Sequence, residues 1–171
     1  PASAGPLASA EPAASAPASL PASSPAPLPA PVAWSRTDLL PGPAGKLAQG
    51  AAAAADGTMV IVGGSGPLEG PGVAWVTTDG TTWAQAKVAG PKQARPLGAV
   101  ALSDGGFLAF GPGGTLWRSA DGTAWKAQKK PVKDAQLIAG TTLADGTRLL
   151  TGSTGFPAAP AVFRSTDGAT W

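Results

Sequence analysis

Cysteine, histidine and tyrosine are absent from this 171-residue chain, methionine occurs once, and the only glutamates are Glu11 and Glu69. Without cysteine there is neither a disulfide framework nor a thiolate metal site, although the compartment stays undecided. With histidine missing too, the metal ligands that remain are carboxylates and carbonyl oxygens, and no metal or cofactor is expected. No run of eighteen apolar residues occurs, so no transmembrane segment is expected. Nor does a charged n-region with an apolar h-region open the chain, which starts at Pro1 and reads as a processed or truncated product. No glycine-rich phosphate loop follows a strand and opens a helix. The net charge is only +2, and no nucleic-acid partner is expected.

What is present divides in two. Residues 1–31 are nearly all Ala, Pro and Ser, with Glu11 as the only charge. Proline removes backbone donors, and Ala and Ser bury too little apolar area to offset an ordering entropy of about 1–2 kcal/mol per residue. This segment reads as a disordered, semi-extended linker. Such a leader commonly follows a removed secretion or lipoprotein signal. The expectation is an exported bacterial protein, extracellular or periplasmic, with cell-envelope anchoring through a segment ahead of Pro1. Residues 32–171 hold all six Trp and all four Phe, enough for a core. The basic stretch "KAQKKPVKD" (126–134) offers two readings: a patch for phosphate or acidic glycan, or a solvated loop and outer strand kept soluble by lysine.

Three stretches repeat: "VTTDGTTW" (76–83), "RSADGTAW" (118–125) and "RSTDGATW" (164–171). Trp83 and Trp125 lie 42 residues apart and Trp125 and Trp171 46, with Trp34 marking a looser first copy. A second Asp-Gly recurs within each period, at Asp56-Gly57, Asp104-Gly105 and Asp145-Gly146, each flanked by short apolar runs. Asp-Gly between such runs signals a hairpin, and a two-residue type I′ turn is expected at each. Every period then holds two hairpins, about four strands, which is the pattern of a β-propeller blade. The expected architecture is all-β, about three four-stranded blades of an incomplete propeller, at 44–88, 94–130 and 135–171. The alanine run 51–55 is assigned to a first strand by alignment with "AVALS" and "TTLA", against its helical propensity. The loops between second and third strands, 63–72, 111–114 and 152–160, vary in length and are where recognition is expected.

The pattern Ser/Thr-x-Asp-Gly-x-x-Trp resembles the Asp-box, or bacterial neuraminidase repeat, of sialidase-like and sortilin-like propellers, with each copy one residue shorter than usual. In that family the motif is structural. The resemblance assigns such a role to Thr77, Asp79, Gly80 and Trp83, to Ser119, Asp121, Gly122 and Trp125, and to Ser165, Asp167, Gly168 and Trp171. Each Asp carboxylate can accept hydrogen bonds from backbone N–H groups of its own turn, with the hydroxyl two positions earlier closing the other side. The Trp rings are expected to pack between neighbouring blades. Two-residue hairpin pairing puts Trp117 and Trp125 on opposite faces, so that each blade offers an aromatic ring to both neighbours. Carbohydrate stacking on these rings is the competing reading.

A sialidase-like enzyme needs an arginine cluster, a Tyr nucleophile with its Glu partner, and an acid/base Asp. This chain has no Tyr and no Phe/Tyr-Arg-Ile-Pro signature, for which "ARPLG" (94–98) is only an echo, and no catalytic residue is assigned. The reading is a non-enzymatic exported binding or scaffold propeller that recognises a protein or glycan through its variable loops. The alternative is a sialidase-like glycoside hydrolase whose catalytic residues lie largely outside this chain. Since the chain stops at Trp171, it is expected to be a piece of a larger propeller, with two open faces that favour assembly or aggregation.

Overall fold

The computed structural model describes residues 40–42, 45–66, 70–129 and 132–171. The expected linker 1–31, the looser copy at Trp34, and Glu69 and Lys130 lie outside the described residues. The described chain is all-β, with strands β1 (Lys46–Ala53), β2 (Met59–Ser65), β3 (Gly72–Thr77), β4 (Ala84–Ala89), β5 (Gly98–Ala101) and β6 (Phe107–Phe110). A 3-10 turn at Pro112–Gly114 precedes β7 (Leu116–Ser119), β8 (Ala124–Ala127), β9 (Ala135–Thr142), β10 (Arg148–Thr154) and β11 (Ala159–Ser165). The alanine run lies in and just after β1, because its neighbours dictate pairing: Ala51 faces Ile61 and Ala53 faces Met59 in β2. Among the described residues no helix is long and apolar enough to cross a membrane.

Eight strands form one sheet in the order β1-β2-β3-β4-β8-β7-β6-β5, and β9, β10 and β11 form a second. Within the runs β1 to β4, β5 to β8 and β9 to β11 consecutive strands pair antiparallel, whereas β4 meets β8 in parallel, with Val88 opposite Trp125. The two ends of the eight-stranded sheet, β1 and β5, run close together, so the sheet is barrel-like and nearly closed. A Cβ on Gly50 would strike the backbone of Gly98, so this approach depends on glycine.

Two apolar clusters flank the strands β5 to β8. In the first, Val60, Val62, Ala74 and Val76 of β2 and β3 meet Phe107, Ala109, Trp117 and Trp125. The Phe107 and Trp125 rings lie 6.3 Å apart at a tilt of 41°, within the range of favourable aromatic pairs. In the second, Val100, Leu108, Phe110 and Leu116 meet Leu137 and Leu150, with Phe163 and Trp171 packed against them. All four residues of β6 are therefore buried, alternating between the two clusters.

Two expectations about turns and faces are corrected. The turns at Asp56, Asp104 and Asp145 are three-residue turns, not two-residue type I′ turns. Ala54 N–H donates to the Thr58 carbonyl and Gly57 N–H to the Ala54 carbonyl, with matching pairs at Leu102 and Leu143. Only the glycine of each pair is left-handed, Gly57 at φ 88°, Gly105 at 85° and Gly146 at 81°, while Asp keeps a negative φ. This is the type I turn followed by a glycine bulge, which twists with the strands and asks left-handed geometry of one residue only. The repeated motif spans a longer loop. In β7 and β8 Trp117 faces Ala127 and Arg118 faces Lys126, a register that sets Ser119 opposite Trp125. Trp117 and Trp125 consequently share one face and one cluster, since five loop residues change the parity that two would impose. The last repeat has three described strands, β9, β10 and β11.

Candidate functional site

All six Asp-Gly turns lie at one end of the strands, and the β2–β3, β6–β7 and β10–β11 connections lie at the other. At the turn end the first and third motifs have near-identical internal bonding, and the second shares part of it. Asp79 Oδ1 accepts from Thr81 N–H at 2.8 Å, Thr82 N–H at 2.7 Å and the Thr77 hydroxyl at 2.9 Å. Asp167 Oδ1 accepts from Ala169 N–H at 2.9 Å, Thr170 N–H at 2.8 Å and the Ser165 hydroxyl at 3.0 Å. Asp121 accepts from Thr123 N–H at 2.9 Å and from the Thr123 hydroxyl at 2.8 Å. The hydroxyl two positions before each Asp accepts from the following Gly N–H: Gly80 to Thr77 at 3.1 Å, Gly122 to Ser119 at 2.9 Å, Gly168 to Ser165 at 2.7 Å. Thr77, Ser119 and Ser165 are all buried, and the bonds that satisfy the Gly122 and Gly168 amides are buried with them.

This bonding decides the charge state of the carboxylates. The Thr82 N–H, then the Thr81 N–H, hold the Asp79 carboxyl far below its ordinary range. The Thr170 and Ala169 N–H groups do the same to Asp167, and the Thr123 N–H and hydroxyl lower Asp121. Asp56 and Asp145 are lowered by the N–H groups of Thr58 and Thr147, which close Asx-turns. Asp104 accepts from Gly106 N–H and pairs with Arg118.

The three motif tryptophans differ in their surroundings. Trp125 is 1 % exposed, and its Nε1 donates to the Gly122 carbonyl at 2.9 Å. Trp83 is half-buried beside Ala51, Ala53, Met59 and Ile61 on the outer face of β1 and β2. Trp171 packs at the edge of the second cluster. The structure brings Asp79 and Asp121 to one groove, also lined by Thr58, Thr82 and Thr123. Backbone and side chain also join successive repeats here: Lys87 N–H donates to the Thr123 carbonyl at 2.9 Å, and Gln128 Nε2 to the Gly168 carbonyl at 3.3 Å.

The loop end carries a different chemistry. Gly113, Asp134, Ala135, Gln136, Gly155 and Phe156 line a cleft of about 560 Å³. Phe156 is fully exposed there, and Asp134 holds a left-handed φ of 54° that presents its carboxylate to solvent. Gln136 is braced by the Gly113 N–H, which donates to its Oε1 at 3.4 Å. Arg95 reaches the neighbouring loop, its Nη1 donating to the Gly66 carbonyl at 3.0 Å. Sequence reading placed recognition in the loops 63–72, 111–114 and 152–160 without singling out Phe156, and Asp134 lies outside those ranges, at the end of the basic stretch 126–134. The signal for Phe156 is an aromatic between Gly155 and Pro157 in a loop, where no strand pattern can bury it.

Also missed is a repeated glycine, Gly63, Gly111 and Gly152. A Cβ at these positions would strike the carbonyl oxygens of Leu47, Arg95 and Gln136 respectively. Gly63 and Gly152 sit beside bulges in β1 and β9, where the register shifts between Ala48 and Gly50 and beside Leu137. Their signal is positional, seven residues after Asp56, Asp104 and Asp145. No family model matches the chain, and no curated protein matches it either.

Proposed function

We propose that residues 32–171 belong to an Asp-box β-propeller, and that the protein is an exported, non-enzymatic binding module that holds a glycan at its loop end. The strand runs β1 to β4, β5 to β8 and β9 to β11 are read as successive blades, the motif at the end of each third strand as the Asp-box. One observation carries the functional reading. The repeated carboxylates are spent on backbone N–H groups at the turn end, while an aromatic ring and a carboxylate stand exposed at the loop end, where the repeats differ. An apolar ring face with a few polar groups beside it suits a sugar ring, which stacks its C–H face and bonds through its hydroxyls. A glycoside hydrolase requires a carboxylic acid that is protonated near its working pH. The box carboxylates are held ionised far below that range.

Glycan-array screening of the full chain tests this reading. Binding is expected without turnover of a fluorogenic sialoside, and Phe156→Ala is expected to weaken it about tenfold or more with the thermal transition unchanged. Binding that survives both Phe156→Ala and Asp134→Ala would remove the loop site. Turnover abolished by Glu69→Gln would establish the hydrolase instead. Extracellular or periplasmic location and envelope anchoring belong to the same proposal, and cell fractionation checks them.

A further inference from the structure

Charge is segregated along the strands. The turn end holds Asp56, Asp79, Asp104, Asp121, Asp145 and Asp167, every described acid except Asp134. The arginines near that end are already engaged: Arg118 pairs with Asp104, the buried Arg148 donates to the Thr166 carbonyl at 3.0 Å, and Arg164 donates to the Thr147 hydroxyl at 3.4 Å. At the loop end the balance is reversed. Besides Arg95, which is bonded to the Gly66 carbonyl, Lys46, Lys92, Lys129 and Lys133 stand there against Asp134 among the described residues. Lys92, Lys129 and Lys133 are exposed, and their ammonium groups bond to no described residue. The register gathers them. β4 and β8 run parallel with Ala89 opposite Lys126, so the chain leaves both strands at the same end, and Lys92 and Lys129 each follow three residues beyond that pair. Val132 N–H then donates to the Gly114 carbonyl at 2.9 Å, and Lys133 follows it immediately before Asp134, in the cleft that Gln136 and Phe156 also line.

We infer that the glycan held at the loop end is anionic, a chain bearing uronate carboxylates or sulfate groups, with Phe156 against a sugar ring and Lys92, Lys129 and Lys133 against its charges. This rests on the glycan reading of the loop end and adds the class of sugar. A neutral sugar is served by an aromatic face and a few hydrogen-bonding groups, and it leaves three ammonium groups unused. An anionic chain uses them, because clustered charges of one sign raise the local potential and attract a ligand of the other. The six carboxylates at the far end repel the same ligand, which is thereby steered to the loop end. Asp134 is left to accept hydrogen bonds from the sugar's hydroxyls.

Binding of the full chain to immobilised polygalacturonate, a sulfated glycosaminoglycan and a neutral glucan, at about 20 and about 200 mM sodium chloride, tests it. Affinity for at least one anionic glycan is expected to exceed that for the glucan about tenfold or more, and to fall about tenfold or more over that salt range, since exposed charges are screened by salt. The ranking of the carboxylate chain against the sulfated one identifies the anionic group. Lys129→Gln with Lys133→Gln is expected to lower affinity about fivefold or more with the thermal transition unchanged. Lys87→Gln with Arg164→Gln removes the same charge away from the loop end and should change affinity by less than about twofold. Equal losses from the two double variants, equal affinity for the neutral glucan, or equal affinity for duplex DNA would overturn the inference. Glucan binding that is insensitive to salt and lost in Phe156→Ala would keep the glycan site and remove its anionic character, whereas binding to no glycan at all would remove the site itself.

Discussion

At the scale of the residue, each motif aspartate is a structural anion. Asp79 and Asp167 each accept three hydrogen bonds within their own loop, and Asp121 accepts from one residue, Thr123, through both its N–H and its hydroxyl. These bonds favour the charged form, so the folded pKa of each lies below the ordinary value of 3.8. A group with a depressed folded pKa contributes stability that is fully present above its unfolded pKa and is lost as the pH falls toward the folded value. Melting temperature is accordingly expected to stay level from neutral pH down to about pH 5 and to drop below about pH 4. Asp79→Asn should lower stability at neutral pH and flatten that acid limb, because it removes one group whose protonation differs between states. A melting temperature unchanged down to about pH 2 would mean that these bonds do not bias the fold.

At the scale of the element, the strands are held in register by close backbone approaches as much as by side chains. Gly63, Gly111 and Gly152 each face a carbonyl of the preceding strand segment, and a Cβ there would meet backbone that cannot rotate away. Gly111→Ala is expected to cost about 1–3 kcal/mol, a penalty of overpacking, measured by urea unfolding. Gly113→Ala serves as the control: a Cβ there meets no atom, and the left-handed φ of 63° carries only its local strain of about 1 kcal/mol. Equal losses from the two substitutions would remove the steric argument. The turns teach the same lesson about local geometry. A three-residue turn places its one left-handed residue at glycine, so aspartate stays in ordinary backbone and uses its carboxylate to close the turn.

At the scale of the whole molecule, β6 is the hinge of the packing, since its residues alternate between the two clusters. Substitutions at equivalent motif positions should then differ according to what lies against them. Trp125→Ala, in a site closed on all sides, is expected to cost about 3–5 kcal/mol. Trp83→Ala is expected to cost less, about 1–2 kcal/mol, because its ring is only half-buried. Comparable losses at Trp83 and Trp125 would show that the surroundings of each ring do not set its contribution.

The all-β class, the assignment of the alanine run to a strand and the position of every Asp-Gly turn are legible in the sequence, because they depend on short-range chemistry. Turn residues, alternating apolar positions and a repeat at near-constant spacing carry that information within a few residues of one another. The type of turn is only half legible, since Asp-Gly suits two-residue, three-residue and longer loops, and the parity that sets Trp117 and Trp125 on one face depends on the loop's length. The parallel meeting of β4 with β8, the approach of Gly50 to Gly98 and the double burial of β6 are decided only in the tertiary structure. They join residues tens of positions apart, and no local propensity encodes which faces meet. The same holds for Trp83, Trp125 and Trp171. Their motifs are alike in sequence, and the neighbours that the fold brings to each ring decide which is fully buried, which lies at a cluster edge and which stays half-buried beside β1 and β2.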